Sequence, residues 1–326
     1  MAQNELEANL TCVVIIIGSI SALLSAVLTF VALRVRPIYL IRYQHILVAI
    51  ALTGVVYSIC EICAVPYWYV SDGDFVLFAV GPIKTGRFGQ NLLLSFAISF
   101  MQSLFLIAYS FAFQYAQVCR AEWFRTFPNL VLFSPFLNVL ILTNWLIAVV
   151  YCFTPTEEKM KKAAKFVWEH MEISINGRAF LGFSLELQKY DPLFYVFILN
   201  MLLVFLVFLA NIVFCAHRII VKVSSDLSNR NHYASIYRLL LVQCIAPALF
   251  TIFPCSFNMV SGLVGVDLGE RVPFVLATLL PMYPAVNTIL MIWQVRDYRD
   301  YLFCRFCKSK SSISQRGKRK SIVTSM

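Results

Sequence analysis

From Val272 to Trp293 the chain carries no charged side chain, and then turns abruptly ionic through Arg296, Asp297, Arg299 and Asp300. A run of this length matches the ~20 residues that a helix needs to cross the hydrocarbon core of a bilayer. Pro281 and Pro284 lie inside it. They would break a soluble helix. In a membrane the freed carbonyls are re-satisfied by neighbouring helices, hydroxyl side chains or trapped water, so a kinked final helix is expected. After the charged cluster, Tyr301 to Cys307 alternates apolar and basic residues, the pattern of a short helix lying on the headgroups.

Six earlier apolar runs, near residues 12–33, 46–70, 92–118, 130–153, 193–216 and 239–263, repeat the signal. Apolar residues make up 60% of the chain and charged ones 13%, against roughly half and a quarter in soluble domains. The expected fold is therefore an all-α membrane protein, a seven-transmembrane helix bundle. An extracellular N-terminus (1–11) would precede the bundle (12–296), which carries a long outer loop at 154–191. A juxtamembrane helix and a basic cytoplasmic tail (297–326) would follow.

Charge placement gives the orientation. The segments 34–45, 119–129, 217–238 and 296–326 hold 18 of the 27 Lys and Arg residues and 4 of the 17 acids. By the positive-inside rule these face the cytoplasm, with the N-terminus outside and the C-terminus inside. The net charge of +10 thus points to anionic inner-leaflet lipid under the basic tail, not to nucleic acid. Acids, not bases, precede the first span, so it reads as an uncleaved helix. Asn9-Leu10-Thr11 is a glycosylation acceptor triplet, with Asn9 as the acceptor. Cys304 and Cys307 are candidates for palmitoylation.

The loop after the second span holds Asp72, Gly73, Asp74, Gly81, Pro82 and Gly86 and reads as polar and turn-rich. In the long loop, Thr154-Pro155-Thr156-Glu157 reads as a capping box with proline at the first helical position. Met160, Ala163, Ala164, Val167 and Met171 follow at helical spacing, so an amphipathic helix over the bundle mouth is expected.

Inside the spans, Glu61 is the only deep acid or base, about 24 Å along the second helix from His45. With no intramembrane Lys or Arg to pair with, it is expected to be a structural hydrogen-bonding group, a ligand contact, or an ion or proton site. Tyr57, Ser58 and Trp68 are expected on its helical face. On the third span Ser95, Ser99, Gln102, Ser103, Ser110, Gln114 and Gln117 share one face, read as polar glue between helices, with the outer Ser99 and Gln102 as candidate ligand contacts. Pro254, beside Phe253, is expected to bend the sixth helix.

No P-loop, nucleotide fingerprint or metal-spaced cluster appears, and the four histidines are scattered, so neither enzyme chemistry, a cofactor nor a metal is expected. The seventh span has no lysine for a retinal Schiff base. The two halves show no repeat of the kind many transporters have.

Several elements resemble nematode chemosensory receptors of the Str-type superfamily of serpentine G-protein-coupled receptors. They are Tyr283-Pro284-Ala285 with Arg296-Asp297-Tyr298-Arg299 at the end of the bundle, Gln243, Pro247 and Pro254 in the sixth span, and Leu227-Ser228 with Tyr237 to Gln243 ahead of it. Asn287-Thr288 stands where that family usually has Asp-Pro, and Phe113-Gln114-Tyr115 where it often has Tyr-Arg-Tyr. The resemblance implies a plasma-membrane receptor, in a sensory-neuron cilium, that binds a small chemical outside and activates a heterotrimeric G protein inside. It places the G-protein face at Gln114, Tyr115, Arg120, Arg218, Lys222 and Arg230, and the conformational switch at Pro247, Pro254, Pro281, Pro284 and Asn287. A ligand-gated channel or carrier with the same span count, or an accessory scaffold without a ligand, is compatible with the same topology.

Overall fold

The computed structural model describes residues 2–35, 43–71, 73–120, 122, 130–171, 173–225, 246, 248–264, 266 and 271–303. Its first helix, α1 (Ala2–Arg34), continues through the acidic N-terminal residues. Next come α2 (Gln44–Ala64), α3 (Gly86–Cys119), α4 (Leu130–Phe153), the short α5 (Glu157–Met171) and α6 (Pro192–Ser225). The sixth span is described over a π-turn (Ala248–Ile252) and α7 (Phe253–Val264), and the last over α8 (Arg271–Leu279) and α9 (Met282–Gln294). Among the described residues six helical segments have the length and apolarity to cross a membrane, and the sixth span in chain order completes the seven-helix bundle. Leucine-, isoleucine- and phenylalanine-rich faces stay exposed on them, for example Leu199, Leu203 and Val207 on α6, as lipid-facing surfaces require.

The last span breaks at Leu280 and Pro281, where the missing proline N–H interrupts the helix as expected. The Pro281 carbonyl at this break accepts the Ser21 hydroxyl of α1 at 2.5 Å. Around this point α1, α2 and α9 pack along a narrow seam. A Cβ on Gly54 would lie 2.9 Å from Ser25 Oγ, so glycine is what lets α2 approach α1 there. Ser25 Oγ in turn lies 3.5 Å from Thr288 Oγ1 of α9. The π-turn immediately precedes Pro254, so the sixth span widens its ladder where Pro254 has no N–H to give.

One end of the bundle departs from the expected polar loops. The second span stops at Ala64, not near Val70, because Pro66 cannot continue a helix and disfavours helical backbone before it. Val65 turns the chain at φ 43°, a costly conformation for a β-branched residue. The helix-end carbonyls of Cys63, Ala64 and Val65 accept the N–H groups of Ile83, Gly81 and Val80. Between these points runs a hairpin of β1 (Pro66–Ser71) and β2 (Asp74–Ala79), whose tight turn contains Gly73 at φ 80°. A third strand, β3 (Phe180–Ser184) from the long loop, pairs antiparallel with β2, giving the order β1-β2-β3.

This sheet is buried on both faces. Trp68, Phe75, Leu77 and Leu181 face the bundle core, whereas Tyr67, Tyr69, Val76, Phe78 and Phe180 pack with Leu10 and Val14 of α1 and Ala163, Phe166 and Val167 of α5. The amphipathic helix is thus present and covers the sheet. Its cap differs from the expected box: the Lys159 N–H donates to Thr156 Oγ1, and the helix begins at Glu157, so Thr156 does what the motif assigned to Thr154. At the start of α3, Gln90 lies beside β3. Its Nε2 donates to the Phe180 carbonyl at 3.0 Å and its Oε1 accepts the Phe180 N–H at 3.1 Å.

Charges tie this cap together. Glu7 of α1 accepts a bidentate pair from Arg178, at 2.8 and 3.1 Å, and a further bond from Lys84. Lys162 of α5 bonds Asp74 (3.2 Å), Ser184 Oγ (2.8 Å) and Glu186 (2.7 Å). Burial opposes its charge, but the two carboxylates outweigh that and hold the ammonium above the usual lysine range. Its hydrogen bond and charge hold Glu186 below the usual carboxylate range. Lys159 is buried, which pulls its ammonium down, and its Nζ donates to the Cys152 carbonyl at the end of α4.

Candidate functional site

Beneath the sheet lies a cavity of about 390 Å³, in the size range of small-molecule sites. Its roof is the inner face of the sheet, with Trp68, Phe75, Leu77 and Leu181. Phe96 and Phe100 of α3 and Trp145 and Phe153 of α4 form one wall, Phe205 and its neighbours on α6 another, and Ile252, Cys255, Ser256 and Val260 of the sixth span the third. These rings meet edge to face: Trp145 lies 5.5 Å from Phe205 at 88°, and Trp68 lies 5.8 Å from Phe75 at 89°. Among the described residues no charged side chain lines the space.

Trp145 Nε1 is satisfied, donating to the Ala97 carbonyl at 3.1 Å. Trp68 Nε1 has no hydrogen-bond partner among the described residues, although Trp68 is 6% exposed. A buried N–H without an acceptor costs about 1–3 kcal/mol. An acceptor that reached Nε1 would relieve that penalty by accepting its hydrogen bond.

Of the expected ligand residues, Trp68 alone lines this cavity, and it does so from β1 rather than from the helical face of Glu61. Glu61 is 1% exposed in the last turn of α2. It sits behind the wall, within electrostatic reach of the cavity thiol of Cys255. The Tyr57 hydroxyl neighbours Glu61, but in a geometry that leaves both the hydroxyl and Glu61 Oε2 without a hydrogen bond among the described residues. Ser58 Oγ and both polar atoms of the Asn258 side chain share that condition. Tyr57 also packs edge-on against Tyr283 at 6.0 Å, joining α2 to α9. Ser99, buried on α3, donates to the Phe96 carbonyl of its own helix, as Ser103 and Ser110 do to Ser99 and Ile107. These bonds lie within the helix, and Ser103 also reaches the Tyr283 hydroxyl of α9. Gln102 is half-buried on the same helix.

At the opposite end, the last turns of α3 and α6 meet where Cys119 Sγ donates to the Arg218 carbonyl. Arg120, Arg218 and Lys222 all act electrostatically on Cys119, so the three cations cluster there. Gln114 is buried one turn deeper, and Tyr115 packs its ring against Phe214 at 5.6 Å. Asn287 is buried on α9 beside Thr288. Residues 296–303 are helical, closed by an exposed Arg296–Asp300 ion pair, and Tyr298 is fully buried. Asn9 is exposed, within α1. Arg230, Pro247, Cys304 and Cys307 lie outside the described residues.

The cavity drew no signal from sequence because its lining is ordinary apolar residues drawn from three strands and several helices. The hairpin that roofs it did leave one: Asp72-Gly73 stands between Tyr-Trp-Tyr-Val and Phe-Val-Leu-Phe, the two-residue turn between strand-forming runs.

A multi-pass helical bundle with an apolar chamber at one end and clustered cations at the other has the form of a membrane receptor. The chain matches the family of serpentine type 7TM GPCR chemoreceptors, Str, over residues 11–303, and belongs to it. No curated protein matches the chain. It is therefore a chemosensory seven-helix receptor, of a family that is not an enzyme class and whose partners in general are small molecules and G proteins.

Proposed function

We propose that the protein is a plasma-membrane chemoreceptor of a sensory cell, sited in its cilium, with the sheet-capped end outside and the cationic end toward a heterotrimeric G protein. The observation that carries the ligand reading is the 390 Å³ aromatic cavity under the sheet. Its occupant is a small, uncharged, largely apolar chemical bearing an acceptor for Trp68 Nε1. Glu61 and Tyr57 set the polarity behind that wall, and Ser99 and Gln102 shape α3 beside it. Gln114, Tyr115, Arg120, Arg218, Lys222 and Arg230 form the G-protein face. Pro247, Pro254, Pro281, Pro284 and Asn287 form the conformational switch that links the two ends. A glycan on Asn9, acyl chains on Cys304 and Cys307, and anionic lipid against the basic tail complete the placement.

A chemical panel on cells carrying a G-protein sensor tests this. Ala97 lines the cavity, so Ala97→Phe fills it and should abolish the response to every effective compound while surface levels hold. Trp68→Phe keeps the ring but removes the N–H, and should weaken acceptor-bearing agonists about fivefold, the worth of about 1 kcal/mol. Unchanged responses in Ala97→Phe at normal surface level would sink the assignment.

A further inference from the structure

The cavity has a second boundary of a different kind. Among the described residues, α1 packs on α2 and α9, α2 on α3, and α3 and α4 on α6, whereas the close packing of α7 is with β1, β2, the π-turn and α8. The cavity is lined from both sides of the gap between α6 and α7, by Leu206 and Leu209 on α6 and by Val260 on α7. The same three side chains are 62%, 55% and 50% exposed on the outside of the bundle. A residue can both line a cavity and face outward only at a rim. The lining residues of the sixth span, Ile252 to Val260, run along about 12 Å of helix axis. They belong to an apolar span, so this slot faces hydrocarbon, which is about 30 Å thick.

The outward path is far more obstructed. Above the cavity stand the doubly buried sheet, the α5 helix and the ion-paired loop. A ligand arriving from water would have to part them, whereas one dissolved in lipid meets at the described rim the apolar side chains of Leu206, Leu209 and Val260.

We propose that the cavity is filled from within the bilayer, through the slot between α6 and α7, and that its occupant is an uncharged, lipid-soluble molecule. This rests on the cavity being the ligand site. The route selects as well as the site does: a charged compound that fits the space is excluded by the hydrocarbon it must cross.

The test uses the full chain in lipid nanodiscs and two photolabels, trifluoromethyl phenyl diazirine, which dissolves in the bilayer, and its trimethylammonium derivative, which stays in water. Flashes after increasing delays, read by peptide mass spectrometry, give the rate at which Phe100 and Trp145 inside the cavity become labelled. Leu203, on the lipid face of α6, is the reference. In the unmodified receptor the neutral label should reach both cavity residues and the cationic one neither. Leu209→Trp with Val260→Trp should slow cavity labelling about tenfold, within the range over which variants alter association rates, and leave Leu203 unaffected. Glu7→Ala with Arg178→Ala, which loosens the roof, should leave the rate unchanged. Labelling by the cationic compound, or an undiminished rate in the Trp variant, overturns the proposal. A receptor silenced by Ala97→Phe whose cavity still labels at full rate through the narrowed slot keeps its ligand site and loses this passage. Slot-dependent labelling in a receptor indifferent to Ala97→Phe keeps the passage and loses the ligand reading.

Discussion

The seam where α1, α2 and α9 meet and the slot between α6 and α7 are made of opposite materials. The seam uses glycine and serine, so backbones approach closely and hydroxyls reach across helices: Ser21 to Pro281, Ser25 toward Thr288, Gly54 against Ser25. The slot uses Leu206, Leu209 and Val260, bulky side chains that hold no polar group, line the cavity and stay half or more exposed. Lipid gives no hydrophobic reason for helices to associate, so close packing and hydrogen bonds decide which neighbours stay together. The bundle is therefore fastened by close polar contacts on one side and bordered by bulky apolar side chains on the other.

The largest test of this contrast is Gly54→Leu. Overpacking a tight contact costs about 3 kcal/mol at the upper end of the usual range, so the variant should be lost from the cell surface and should unfold earlier in detergent. Normal surface levels would mean that the seam yields as easily as the slot.

The next effect concerns what holds α7. Its close neighbours include β1 and β2, and Lys162 fastens that sheet by pairing buried Asp74. Lys162→Met leaves an acceptor buried without its partner, at about 2 kcal/mol. Hydrogen exchange should then rise in β2, β3 and α7 while α1 and α2 stay protected; uniform exchange would show that the sheet does not anchor the slot. Acid acts in the same direction. Glu186 is held below its unfolded value by Lys162, so its contribution is present above the ordinary carboxylate range and is lost as pH falls through the depressed folded value. Exchange in the sheet should rise only in that acid window.

The smallest effect is Ser21→Ala. It removes one hydrogen bond across the seam, worth about 0.6 kcal/mol on average in membrane helices. Thermal unfolding in nanodiscs should shift slightly, with ligand response intact. A loss of response at normal surface level would make the Pro281 bend part of switching rather than of assembly.

What sequence revealed and what it hid follow from the same physics. Long apolar runs and prolines within them are local signals, so the spans and the kink at Pro281 could be read directly. The end of α2 was misplaced because Tyr67, Trp68, Tyr69 and Val70 extend its apolar run, and a strand buried on both faces has the same composition as a buried helix. Pro66 was the residue that separated them. Glu61 stood out because a charge in a span is rare, yet it sits behind the cavity wall. The cavity itself is a property of packing among distant segments, which no single stretch encodes.

Gln90 carries one more consequence. A strand at the border of a sheet offers unpaired N–H and C=O groups that invite another chain to add itself as the next strand. At Phe180 of β3 both groups are already taken by the side-chain amide of Gln90, which imitates a peptide unit. The border of this buried sheet is thereby closed at Phe180 from within its own molecule, which leaves no template there for a neighbour's strand.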